Sequence, residues 1–217
     1  EGGCFYYGEN MKKCVIISGG VYTPAPEIGP EDFVIACDKG CGYAKRDGIV
    51  PDLAVGDFDS YDGTVDPDIP IQRYRKEKDD TDTMIAVRYA VEHGFDEIEI
   101  TSALGLRLDH TFANIQSACY AVERGLFVRM ADENSDMLFM TDKEVVLPKR
   151  KGWSLSVFAM TDRCTGVNIG GAKYPLDDAT VTNTWPVGVS NEWRDDEARI
   201  SVGSGILMIL MSNKSEE

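Results

Sequence analysis

Short apolar runs alternate with helical patterns over the first two-thirds of the chain. Cys14–Ser18, Phe33–Cys37, Leu53–Val55, Ile98–Thr101 and Phe127–Ala131 are apolar without polar alternation. That is the pattern of parallel strands covered on both faces. Between them, Asp80–His93 puts Met84, Val87 and Val91 on one stripe and stops at Gly94. Asp109–Arg124 puts Phe112, Ile115, Cys119 and Val122 on one stripe and stops at Gly125. A glycine just past the last periodic residue is a common helix stop. Beyond about Met140 the pattern changes to short β-like runs: Trp153–Ala159, Cys164–Ile169, Ala179–Thr182, Ala198–Val202 and Ile206–Met211. Gly, Pro, Asn and Asp separate them. The pattern predicts an α/β N-terminal domain, a mainly parallel sheet flanked by helices, over 11–140. A small all-β, sandwich-like C-terminal domain follows over 141–217. Residues 1–10 are expected to be a non-native or disordered start, because the segment from Met11 reads as a natural beginning.

Charge narrows the partners. The formal net charge of −15 argues against nucleic acid. An anionic ligand would need a local basic pocket or a bridging divalent cation. The six Cys form no C-x-x-C pair and only two His are present, which disfavours structural zinc. They read as reduced thiols of a cytoplasmic protein. No apolar run has membrane-spanning length, and the first residues lack the basic-then-apolar pattern of a signal peptide, so no membrane partner is expected.

The chemistry-bearing residues cluster in turns after strands. Gly56-Asp57-Phe58-Asp59-Ser60 follows Leu53–Val55 directly. Ligands of parallel α/β sheets bind beyond the carboxyl ends of the strands, and two carboxylates there can reach one hard cation. Taken alone, the segment reads equally as a polar loop with an Asx turn. Lys78-Asp79-Asp80-Thr81-Asp82 opens the first long helix, where acids commonly serve as caps and dipole complements. Yet ten acids face four bases between Asp52 and Asp82, a repulsion that a bound cation or full solvation would relieve. Leu104-Gly105-Leu106-Arg107-Leu108-Asp109-His110 opens the next helix, whose first N–H groups and Arg107 can hold a phosphate. A surface ion pair with Asp109 as helix cap explains it as well. Asp38-Lys39-Gly40 occupies another strand-to-helix turn, for which ordinary turn chemistry suffices. The P-loop, the G-x-G-x-x-G fingerprint, the protein-kinase H-R-D loop and the EF-hand template are all absent.

Together, Gly56–Ser60 (GDFDS), Lys78–Asp82 (KDDTD), Gly105–Asn114 (GLRLDHTFAN), Gly171–Leu176 (GAKYPL) and Ser190–Trp193 (SNEW) resemble, in order and spacing, the bacterial thiamine pyrophosphokinases. The resemblance spans nearly the whole chain from Met11. It implies transfer of pyrophosphate from ATP to the hydroxyethyl group of thiamine, with release of AMP. It also implies a homodimer with sites between subunits. Carried over by motif, Asp57, Asp59 and Asp82 ligate Mg²⁺, and with Arg107 and Asp109 they form the catalytic set. Asp38, Lys39, Gly40, Lys78, Thr81, Arg107 and His110 fall at ATP and its phosphates. Lys173, Tyr174, Ser190 and Asn191 match the thiamine-contact segments, and an aromatic face suits a cationic ligand. Three positions depart from the family pattern: Leu106 replaces a glycine, Lys39 interrupts an Asp-Gly-Gly turn, and Tyr174 stands where animal members have Trp. Animal members carry Gln where this chain has His110, against an obligatory acid–base role. Two alternatives stand beside this reading. One is a haloacid-dehalogenase-like phosphatase, since Asp57-Phe58-Asp59-Ser60 imitates its D-x-D-x-[ST] motif. The other is a non-catalytic nucleotide or thiamine binder.

Overall fold

The computed structural model describes residues 11–58, 63, 66–73, 80–105 and 107–214. Residues 1–10, Asp59, Ser60, Lys78, Asp79 and Leu106, on which expectations were placed, lie outside the described residues. The chain divides into two compact units, Met11–Glu133 and a second that begins at Asn134. The break precedes the expected boundary at 140, because Ser135–Met140 is itself a strand of the second unit.

The first unit contains β1 (Lys13–Ile17), β2 (Phe33–Cys37), α1 (Gly40–Arg46), β3 (Leu53–Gly56), β4 (Ile71–Arg73), α2 (Asp82–Glu92), β5 (Glu97–Thr101), α3 (Leu108–Val122) and β6 (Phe127–Ala131). Its strands run in the order β6-β5-β1-β2-β3-β4 and every pairing among them is parallel. β1, β2, β3 and β5 are buried at nearly every position, as unalternated apolar runs require. Ile16, Ile35 and Ile98 lose all exposure, each stabilising the fold by about 1.5–3 kcal/mol. On one face Val15, Ile17, Val34 and Ala54 pack with Cys41 and Ala44 of α1.

The helices occur where expected, but their buried stripes are shifted. α2 buries Thr83, Ile85, Ala86, Val87 and Ala90, whereas Met84 and Val91 stay partly exposed. α3 buries Asn114, Ser117, Ala118, Ala121 and Val122, leaving Phe112 at 61% exposure. Small side chains let a helix lie close, so they take the inner face and push bulkier neighbours outward. Gly94 and Gly125 follow the two helices with left-handed backbone, as the stop signals predict.

The second unit contains β7 (Ser135–Met140), β8 (Lys143–Pro148), β9 (Trp153–Ala159), β10 (Arg163–Gly170), β11 (Leu176–Thr182), β12 (Gly188–Asn191), β13 (Glu197–Val202) and β14 (Leu207–Asn213). They form two antiparallel arrays, ordered β12-β9-β14-β7 and β11-β10-β13-β8. Among the described residues no helix interrupts them. Five cysteines, Cys14, Cys37, Cys41, Cys119 and Cys164, are free thiols. Among the described residues no helix is long and apolar enough to cross a membrane.

Candidate functional site

In the first unit a cavity of about 350 Å³ opens at the carboxyl ends of the parallel strands. Four segments line it: Ser18–Gly20 after β1, Cys37–Lys39 after β2, Thr81–Thr83 at the start of α2, and the turn after β5 with the start of α3. The last supplies Ala103, Gly105, Arg107, His110 and Asn114. Asp38 and Asp82 thus share one space with Lys39, Arg107 and His110.

Backbone geometry brings these turns together. The Ser18 N–H donates to the Thr101 carbonyl at 3.0 Å and the Gly20 N–H to the Ser102 carbonyl at 2.6 Å, so the turns after β1 and β5 are stitched side by side. A Cβ at Gly20 would lie 2.6 Å from that Ser102 oxygen and 2.8 Å from the Leu104 oxygen. A Cβ at Gly40 would strike the Ile17 carbonyl oxygen. Only glycine allows α1 to start this close to β1, so Gly40 packs there and does not line the cavity. The Asp38 N–H donates to the Val55 carbonyl at 2.8 Å, and Gly56 packs against the Asp38 side chain. Asp57 therefore leaves β3 beside Asp38, although Asp57 itself does not line the cavity.

The start of α2 is held by its own side chains. Thr81 accepts the Met84 N–H at 3.1 Å as N-cap. The Cys37 thiol donates to the Asp82 carbonyl at 3.6 Å. Burial, with the Asp82 charge adding to it, pushes the Cys37 thiol well above its ordinary range. It is therefore a protonated, weakly reactive wall of the cavity. Asn114 donates its amide to the Ala103 carbonyl at 2.7 Å and fixes the turn that carries Gly105 and Arg107.

Arg107 is the N-cap of α3, in place of the expected Asp109, and its side chain makes no capping bond; Asp109, inside the first turn, accepts the His110 N–H at 3.0 Å. The Arg107 guanidinium instead forks onto Asp109, with Nε donating at 3.1 Å. Both side chains are exposed. The hydrogen bond from Arg107 holds the Asp109 carboxyl below the usual carboxylate range and raises Arg107 in turn. Asp109 does not line the cavity.

In the second unit, the motif residues have different tasks. Asn191 is buried at 4% exposure; its Oδ1 accepts the Tyr174 N–H at 3.0 Å and its Nδ2 donates to the Tyr174 carbonyl at 2.7 Å. Tyr174 is 62% exposed, with the Lys173 ammonium 5.6 Å from its ring centroid, in cation–π range. Ser190 is exposed in the left-handed region at φ 57°, its N–H donating to Ser156 Oγ at 3.0 Å. Trp193 is a core residue whose Nε1 donates to the Leu147 carbonyl at 3.0 Å.

Six of the sequence-assigned phosphate and metal residues therefore line one cavity: Asp38, Lys39, Thr81, Asp82, Arg107 and His110. Asp59 and Lys78 lie outside the described residues. Sequence reasoning passed over Ser18, Gly19, Gly20, Thr83 and Asn114. The Gly19-Gly20 pair just after the first apolar run was a readable sign of a ligand-facing turn; Thr83 carried no sign. Among the described residues no group of three or more Asp, Glu, His or Cys is preassembled around one point. The acids that reach the cavity are all carboxylates, the donor type that a hard cation such as Mg²⁺ takes.

Comparison with known proteins agrees with this layout. The family model "Thiamin pyrophosphokinase, catalytic domain" matches residues 27–130, and "Thiamin pyrophosphokinase, vitamin B1 binding domain" matches residues 143–207. A thiamine pyrophosphokinase of Bacillus subtilis is 29% identical over 212 residues, covering 93% of this chain and 99% of its relative. The crystal structure of thiamine pyrophosphokinase from Bacillus subtilis superposes with a TM-score of 0.83 at 26% identity, over 93% of this chain and 99% of that one. The thiamin pyrophosphokinase structure from Geobacillus thermodenitrificans gives 0.80 at 25% identity, over 94% and 98%.

Proposed function

The chain belongs to the thiamine pyrophosphokinase family, and from that premise we propose that it moves the terminal pyrophosphoryl group of ATP to the hydroxyethyl oxygen of thiamine. The observation that carries this reading is the cavity where Asp38 and Asp82 face the same space as Lys39 and Arg107. Acids and cations around one space suit a polyphosphate that arrives with a divalent cation. Asp82 and Asp38, with Asp57 next in the chain to Gly56 against Asp38, would hold that cation, and the motif adds Asp59. Bound there, Mg²⁺ would screen the phosphate oxygens and stabilise the charge that moves onto them in transfer.

This chain's own residues do the rest by positioning and by charge. Lys39 and Arg107 bind the phosphate oxygens from opposite turns and hold the β-phosphorus in line with the incoming alcohol. The thiamine oxygen forms a bond to the β-phosphorus as the bond from that phosphorus to the AMP oxygen breaks. The alcohol proton passes to a carboxylate. Asp82, which lines the cavity, or Asp109, in the first turn of α3 beside Arg107, takes that proton. The exposed Tyr174, whose backbone Asn191 holds, offers a flat ring face to the cationic thiamine molecule. The phosphatase alternative is not favoured: Asp57 follows the third strand, not the first, where that class carries its nucleophile.

Incubation with ATP, Mg²⁺ and thiamine, followed by chromatography, tests the reading. AMP and thiamine diphosphate are expected in equal amounts. Binding of both substrates without product would establish the non-catalytic alternative.

A further inference from the structure

Ser18 and Thr83 form a buried pair of hydroxyls in the wall of the cavity. Ser18 ends β1 at 4% exposure, and Thr83 is the second residue of α2 at 5%. Their oxygens, Oγ and Oγ1, are 2.6 Å apart. Both residues line the cavity. A Ser or Thr further along a helix can turn its hydroxyl back to the carbonyl four residues earlier, as Thr111 and Ser117 of α3 do, to Arg107 at 3.3 Å and Ala113 at 2.9 Å. Thr83, at the second position of α2, has no helical carbonyl four residues back, and its hydroxyl meets Ser18.

The pair has a proton to spare. Each hydroxyl carries one hydrogen and two acceptor lone pairs. Whichever oxygen donates to the other, the acceptor's own hydrogen remains, and neither hydroxyl meets a further acceptor among the described residues. A buried donor needs an acceptor, and the open side here is the cavity. Of its neighbours, the Cys37 thiol and the Asn114 amide are donors directed at the Asp82 and Ala103 carbonyls, and the Asp38 and Asp82 carboxylates line the same cavity without bonding the pair. With Lys39 and Arg107 supplying charge across the same space, the matching acceptor is an anionic oxygen.

Resting on the nucleotide reading above, we propose that Ser18 and Thr83 act as one coupled donor that hydrogen-bonds a phosphate oxygen of ATP. It orients the polyphosphate from the β1–α2 side. Neither residue takes part in bond making. The pair is a binding determinant, and its loss changes the affinity for ATP and not the chemical step.

The test is ATP binding by calorimetry, with steady-state kinetics, on the full chain and on Ser18→Ala, Thr83→Val, the double variant and Thr83→Ser. Val is close to Thr in shape, so the fold is kept, and melting curves confirm it. The double variant is expected to weaken ATP binding about tenfold, the worth of one hydrogen bond to a charged group; deleting the hydroxyl that faces the phosphate does the same, and deleting its partner, which leaves that hydrogen in place, costs less. KM for ATP rises with it, while kcat and KM for thiamine stay within about twofold. The double variant is no weaker than the poorer single, because one donor is lost once. Thr83→Ser restores affinity. Deletions whose effects multiply in the double variant, or that lower only the melting temperature, would overturn the pair as a donor. A parent chain that binds no ATP removes the nucleotide reading as well. A parent that binds ATP while all variants match it removes this inference alone.

Discussion

Two helix starts face the cavity, and they are built on different plans. α2 is finished by the fold: Thr81 caps it with its own hydroxyl, and the Cys37 thiol pins the Asp82 carbonyl. α3 has an N-cap, Arg107, whose side chain caps nothing; it forks onto Asp109, at 66% and 64% exposure respectively, and Asp109 also accepts the His110 N–H. An exposed pair of this kind holds the structure together only weakly. The first start therefore carries Asp82 on a backbone held in place, and the second a cation that a stronger anion can take over. The contrast assigns Asp82 to a preset position and Arg107 to one completed by the substrate.

The largest effect is expected at the preset acid. Asp82→Asn should lower AMP release by on the order of 10³-fold, because a charge facing the metal and phosphates is lost while the side chain keeps its shape. Turnover near that of the parent would take Asp82 out of the site. Next, Arg107→Ala should lower kcat/KM by about 100-fold, with Arg107→Lys recovering only part, since a point charge cannot reproduce the fork. Its melting curve should match the parent's, as an exposed pair predicts; a clear drop would mean that Arg107 builds the helix start after all. Thr81→Ala inverts that outcome. Loss of the cap should cost about 1 kcal/mol, a fall of roughly 2–4 °C in melting temperature for a domain of this size. Thr81→Ser should restore it.

The smallest effect concerns Asp109. Its folded carboxyl is depressed by Arg107, so whatever it adds to stability is present above the unfolded value and fades as pH falls through the folded one. Carboxyl NMR should find Asp109 titrating upward in Arg107→Ala, and upward too in the parent when ATP draws Arg107 away. An unmoved resonance on ATP binding would show that the two residues stay paired.

The sequence pattern exposed the two starts unequally. The strands were readable because apolar runs such as Phe33–Cys37 and Trp153–Ala159 keep the same bounds in the structure. Short strands with weak patterns, Ile71–Arg73 and Gly188–Asn191, were not. The helix stripes misled because periodicity rewards large apolar residues, whereas the sheet here accepts Ala118 and Ala121 and leaves Phe112 outside. Asp82 and Arg107 announced themselves as charges after strands. Ser18 and Thr83 did not, since hydroxyls 65 positions apart carry no sign of their meeting until the chain folds. Asn191 was read as a ligand contact, but its buried amide is occupied with the Tyr174 backbone, a pairing only the turn geometry reveals.

Gly19, Gly20 and Gly105 line the cavity without side chains, and Gly20 lies against the Ser102 and Leu104 peptide oxygens. Much of the cavity's outline is consequently drawn by atoms that every amino acid shares. Drift at surrounding positions can retune charge and contact while the contour persists, so distant relatives can keep the same mould with few identical letters. A compound shaped to that contour would discriminate poorly between such relatives, and selectivity would have to come from reaching the variable side chains at its rim, Lys39 first among them.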